Sequence, residues 1–96
     1  MIGNPPPVII PPVLYLPVLD LPEGGQIAIV KEMTDGRRGL LAYTALDRLA
    51  DKCGELQPWA LVETAGLDAI HAAQPFDIVA FDLDVPAELL ADGRIA

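Results

Sequence analysis

Apolar positions in this chain follow strand-like runs over the first half, then alternate between helical and strand spacing over the second. Val13-Leu14-Tyr15-Leu16-Pro17-Val18-Leu19 is a continuous apolar run that predicts a first strand. Pro17 within it predicts an edge position or a bulge, because proline brings no N–H to a ladder. Asp20 to Gln26 is turn chemistry, with Gly24-Gly25 able to take positive φ at little cost. Ile27 to Met33 predicts a second strand, Asp35-Gly36 closes a hairpin, and Gly39 to Thr44 returns as a third strand.

The period then changes. Leu46, Leu49, Ala50 and Cys53 recur at helical spacing, which predicts a helix over residues 45–53 with Thr44 as N-cap, Asp47 in the first turn and Gly54 as the stop. After Gln57-Pro58, Trp59 to Glu63 predicts a fourth strand. A second helix starts at Thr64, carries Leu67, Ile70 and His71 on one side, and ends at Pro75. Phe76 to Leu83 predicts a fifth strand whose apolar run, Ile78 to Phe81, reads as a central strand covered on both faces. Ala87 to Leu90 adds one helical turn. The order β-β-β-α-β-α-β predicts an α+β or α/β fold, a single mixed sheet of about five strands with two helices packed on it.

Residues 1–12 form a Pro-rich arm ahead of a domain spanning residues 13–96, and NPPPVIIPP within the arm has polyproline character. Such a segment is either a stiff lead-in lying on its own domain or a recognition element. Apolar residues 8–19 would be adhesive if left uncovered, so Val8, Ile9, Ile10, Val13 and Tyr15 are interaction candidates. Trp59, at the mouth of a strand, joins them as a possible anchor. A protein partner, or self-association through the arm and first strand, is the expected use.

Composition narrows the partners. With 96 residues there is room for one core, and the net charge of −8 argues against nucleic acid and anionic membranes as partners. The apolar run is broken by Pro11, Pro12 and Pro17 and is shorter than a bilayer span of about 20 residues, so no membrane insertion is expected. A lone cysteine, Cys53, and an N-terminus without the positive end of a signal peptide fit a reducing cytoplasm.

Catalytic chemistry finds little to work with. Ile78-Val79-Ala80-Phe81-Asp82-Leu83-Asp84 resembles the first motif of haloacid-dehalogenase-type phosphotransferases, in which the first Asp is nucleophile and the second a general acid/base beside Mg²⁺. Val85-Pro86 replaces the small residues that normally follow, and the twelve residues after Asp84 leave no room for the rest of such a site. His71 is the single histidine and has no companion at metal-ligand spacing. There is no serine, no P-loop and no dinucleotide fingerprint. No catalytic, cofactor or metal residue is therefore assigned.

Tyr15-Leu16-Pro17-Val18, the turn at Asp35-Gly36-Arg37, Leu41-Ala42-Tyr43-Thr44 leading into Asp47-Arg48-Leu49, and Gln57-Pro58-Trp59 together resemble the SseB protein N-terminal domain family over residues 13–84. The resemblance implies a non-enzymatic bacterial α/β domain, often associated with specialised secretion, and it carries over no catalytic residue. The expected function is a protein-binding or adaptor module. The alternatives are a small Mg-dependent phosphotransferase-like protein using Asp82 and Asp84, or an accessory subunit of a larger bacterial assembly.

Overall fold

The first predicted strand forms as β1 (Val13–Asp20), but at the centre of a sheet and not at its edge. The computed structural model describes residues 11–86, 89–91 and 94–95; Val8, Ile9 and Ile10 lie outside the described residues, as do Ala87 and Glu88 of the expected final turn. β2 (Gln26–Ala28) pairs antiparallel with the end of β1, and β5 (Trp59–Glu63) pairs antiparallel with its beginning, from Val13↔Glu63 to Pro17↔Trp59. A buried proline is tolerated here for a geometric reason. Tyr15 exchanges N–H···O bonds of 2.9 and 2.8 Å with Tyr43, so the odd-numbered amides of β1 face away from β5. Pro17 thus lacks its N–H on the edge where the partner changes from Tyr43 to β2, and no ladder bond is lost.

A second three-stranded sheet holds β3 (Val30–Glu32), β4 (Arg38–Ala42) and β6 (Ile78–Phe81) in the order β3-β4-β6. The hairpin between β3 and β4 closes as expected, with Gly36 at φ 87° and Gly36 N–H donating to Met33 O at 2.9 Å. The run Ile27–Met33 is two strands and not one. The chain leaves β1 at Ala28, and Ile29, buried, accepts from Leu41 N–H at 3.0 Å as it enters the other sheet. The expected single sheet of five strands is therefore replaced by two small sheets, stitched at Ile29 and at the Tyr15–Tyr43 bridge. The class is mixed α and β, as the order of elements implies.

Helices cover both faces. α1 (Leu46–Cys53) sends Leu49 and Cys53 into a cluster with Ile29, Leu41, Tyr43 and Ile95. On the opposite side Leu14, Leu16, Leu40 and Ala42 meet Leu67 and Ile70 of α2 (Leu67–Ala73), which follows a 3-10 turn at Thr64–Gly66. β4 is consequently the strand buried on both faces. β6, read from sequence as the central strand, pairs in parallel with β4 as the outermost strand and leaves Phe81 exposed. Parallel pairing follows from the long α1–β5–α2 connection, which returns the chain to the free side of β4.

The tail forms a short hairpin, β7 (Leu90–Ala91) with β8 (Arg94–Ile95), so the helical turn expected through Leu90 ends one residue sooner, at Leu89, whose N–H donates to Pro86 O at 2.9 Å. Gln57 fastens this hairpin to the core. Its Nε2 donates to Val18 O at 2.9 Å and Pro58 O at 3.0 Å, and its Oε1 accepts from Ile95 N–H at 2.7 Å. No helix among the described residues is long and apolar enough to cross a membrane.

Candidate interaction surface

The paired carboxylates of the Asp-x-Asp sequence do not share a strand face. β6 stops at Phe81, and Asp82 takes φ 52°, a left-handed conformation that Asp tolerates better than most residues. Its Oδ1 accepts from Thr44 N–H at 2.9 Å, while Oδ2 accepts from Thr44 Oγ1 and Arg48 Nη1, both at 2.8 Å. Thr44 is therefore not the N-cap of α1. That position is Ala45, which offers no capping side chain, and the Thr44 hydroxyl is spent on Asp82 instead. Asp84 is largely exposed and pairs with Lys52. Among the described residues no three His, Cys, Asp or Glu side chains gather as a metal site.

Partial burial pushes the Asp82 carboxyl up, but the hydrogen bonds from Thr44 and the Arg48 guanidinium outweigh it and hold the group below its usual 3.8. A carboxylate depressed in the folded state stabilises fully above its unfolded pKa of about 3.9 and loses that contribution as pH falls through the folded value. Asp82→Asn should therefore cost about 1–2 kcal/mol at pH 7, and the difference from wild type should shrink as pH falls below about 3.9 and through the lowered folded value. Urea titrations of both proteins at several pH values measure this directly.

The other reactive side chains are tied into packing. Cys53 is fully buried beside Tyr43, and burial pushes its thiol up, away from the thiolate. The Tyr43 hydroxyl donates to Leu83 O at 2.7 Å. His71 is exposed and sets its ring edge-on to Phe76, with centroids 5.0 Å apart.

Of the interaction candidates, Val13 and Tyr15 are half-buried on β1, whose edges are taken by β5 on one side and by Tyr43 and β2 on the other. Trp59 is exposed, and its ring meets Tyr15 in a T-shaped contact at 5.6 Å. It stands on β5, the outermost strand of its sheet. Val18 N–H donates to Pro58 O and Thr64 N–H to Pro12 O, both at 2.9 Å, so the even-numbered amides of β5 face β1. By strand alternation the N–H and C=O groups of Trp59, Leu61 and Glu63 face outward along the free edge. The same three side chains lie on the exposed face, with Leu61 57% accessible.

Sequence reasoning selected Trp59 and missed Leu61. The signal was present: in Trp59-Ala60-Leu61-Val62-Glu63 the smaller Ala60 and Val62 face inward, with Val62 packed toward α2, which leaves Trp59 and Leu61 outside.

Of the other edges of the two three-stranded sheets, those of β2 and β3 are guarded. On β2 the Gln74 side chain closes Ala28, donating to its O at 2.9 Å and accepting from its N–H at 3.0 Å. β3 is three residues long and carries Lys31 and Glu32. β6 is also an open apolar edge among the described residues, but it is one residue shorter than β5 and ends at the left-handed Asp82. β5 alone presents five residues in unbroken register with no Lys, no Pro and no covering strand among the described residues. Comparison with family models, with curated proteins and with solved structures finds no match for the chain.

Proposed function

We propose that this protein is a non-enzymatic protein-binding or adaptor module whose contact surface is the free edge of β5, with Trp59, Leu61 and the rim of Tyr15. The observation that carries the reading is the five-residue open edge of β5, longer than the four-residue open edge of β6 and with Trp59 and Leu61 exposed along it. An exposed strand of this kind binds by strand addition, with main-chain hydrogen bonds giving affinity and alternate side chains giving selectivity. Pro11 and Pro12, the described residues of the arm, meet the end of β5, where Pro11 O accepts from Thr64 Oγ1 and Pro12 O from Thr64 N–H. The resemblance of residues 13–84 to the SseB N-terminal domain extends the proposal to a secretion-associated setting in bacteria, as an accessory subunit of a larger assembly.

Capture from a lysate of the source cells, with the wild type and Leu61→Lys as parallel baits, tests the edge. Proteins retained by the wild type and lost from the variant are expected. Identical retention by both baits contradicts the assignment.

A further inference from the structure

We infer that the free edge of β5 pairs antiparallel with β5 of a second copy of this chain, about a two-fold axis through Leu61. The inference rests on the reading of β5 as the contact edge and adds its occupant. The strand is complementary to itself in one register. With Leu61 opposite Leu61 of the second copy, Trp59 of each chain faces Glu63 of the other. Every outward N–H of Trp59, Leu61 and Glu63 then meets an outward C=O, because these three residues alone aim their amides at the free edge.

Side chains favour the same register. Two leucines meet at the axis, and each Trp59 lies diagonal to the other chain's Leu61, within reach of a large ring. The segment carries a single charge, at Glu63. The register holds the two Glu63 carboxylates roughly 13 Å apart along the strands, whereas pairing Glu63 with itself would oppose like charges directly.

Two magnitudes set the behaviour. A five-residue edge is small beside the roughly 1,200–2,000 Å² of a stable interface, so the association is weak and reversible. Each copy also carries −8, so repulsion between the acidic surfaces opposes pairing at low ionic strength and is screened by salt. Association of two copies therefore strengthens with salt, whereas a basic peptide docked on this acidic chain would bind more weakly.

Light scattering on the full chain, from about 1 µM to about 500 µM at low and at near-physiological salt, provides the test. The wild type is expected to pass from monomer to dimer, and to do so at lower concentration in higher salt. Leu61→Lys and Leu61→Glu should each raise the dissociation constant about tenfold or more, since like charges then meet at the axis. An equimolar mixture of the two variants should recover the dimer, which a merely misfolded variant could not do.

A wild type that stays monomeric throughout overturns the inference, as does association that weakens with salt or a mixture that fails to pair. These failures are distinct from failure of the edge itself. A monomer whose captured proteins are still lost on Leu61→Lys leaves β5 as the contact edge for a different sequence, while capture indifferent to Leu61→Lys removes the edge reading altogether.

Discussion

Leu40→Ala and Leu41→Ala will each destabilise the protein by about 2–5 kcal/mol, although the two residues are neighbours on one strand. Side chains alternate across a sheet, so on a strand with one wet face one member of such a pair would be nearly neutral to truncation. Here neither faces water. Leu40 belongs to the cluster with Leu14, Leu16 and Ala42 on the α2 side, and Leu41 to the cluster with Tyr43, Leu49 and Cys53 on the α1 side. Both are essentially inaccessible to solvent. Against a total stability of roughly 5–15 kcal/mol, each loss is a large fraction and shifts Tm by many degrees. Leu61→Ala is the matched control on β5 and should cost less than about 0.5 kcal/mol. Denaturant unfolding of the three variants separates the outcomes; a neutral Leu40→Ala or Leu41→Ala would mean that β4 has an open face.

The second large effect is expected at Gln57. Extending the β1–β5 register by one pair sets Val18 opposite Pro58, where Val18 N–H donates to Pro58 O. The reciprocal bond cannot form, because proline has no N–H to give to Val18 O. The Gln57 amide supplies that missing donor, and its carbonyl receives the Ile95 N–H of the tail hairpin. Gln57→Met preserves the approximate volume and removes the bonds made by the Gln57 side chain. It leaves a carbonyl and an amide N–H without partners in a buried place, at a cost of about 2–4 kcal/mol. The Ile95 amide should lose its exchange protection in this variant before the β1–β4 region does. Unchanged stability, or an Ile95 amide as protected as in the wild type, would show that the tail is held by other means.

Much of this architecture is legible in the sequence, and the misses share a cause. Val13–Leu19, Trp59–Glu63 and the helical spacing of Leu46, Leu49 and Cys53 are local patterns, and the elements form close to those bounds. Parallel pairing of the last core strand likewise follows from the alternation of helices and strands. What the pattern leaves open is partner choice. Nothing in Ile27–Met33 marks Ile29 as the point where the chain changes sheets, since the break is made by Leu41 and the buried cluster around it. Pro17 suggests an edge because a ladder normally needs its N–H, yet the change of partner beside it removes that need. Ile78–Phe81 is apolar enough for a central strand, but β4 already fills that place. Thr44 has the chemistry of an N-cap, and Asp82, thirty-eight residues on, claims its hydroxyl.

The candidate surface shows the same division. Trp59 is visible as an aromatic after a proline. Leu61 becomes visible only when Ala60 and Val62 are seen to face inward, and the free edge only when β5 is known to be outermost.

The free edge is tested most directly by amide hydrogen exchange, resolved by NMR across the five residues of β5 in dilute solution where the chain is monomeric. Ala60 and Val62, bonded to β1, should be protected, while Trp59, Leu61 and Glu63 exchange at close to unprotected rates. Protection of all five under those conditions would show that the chain covers its own edge and would contradict the account, as would rapid exchange at Ala60 and Val62.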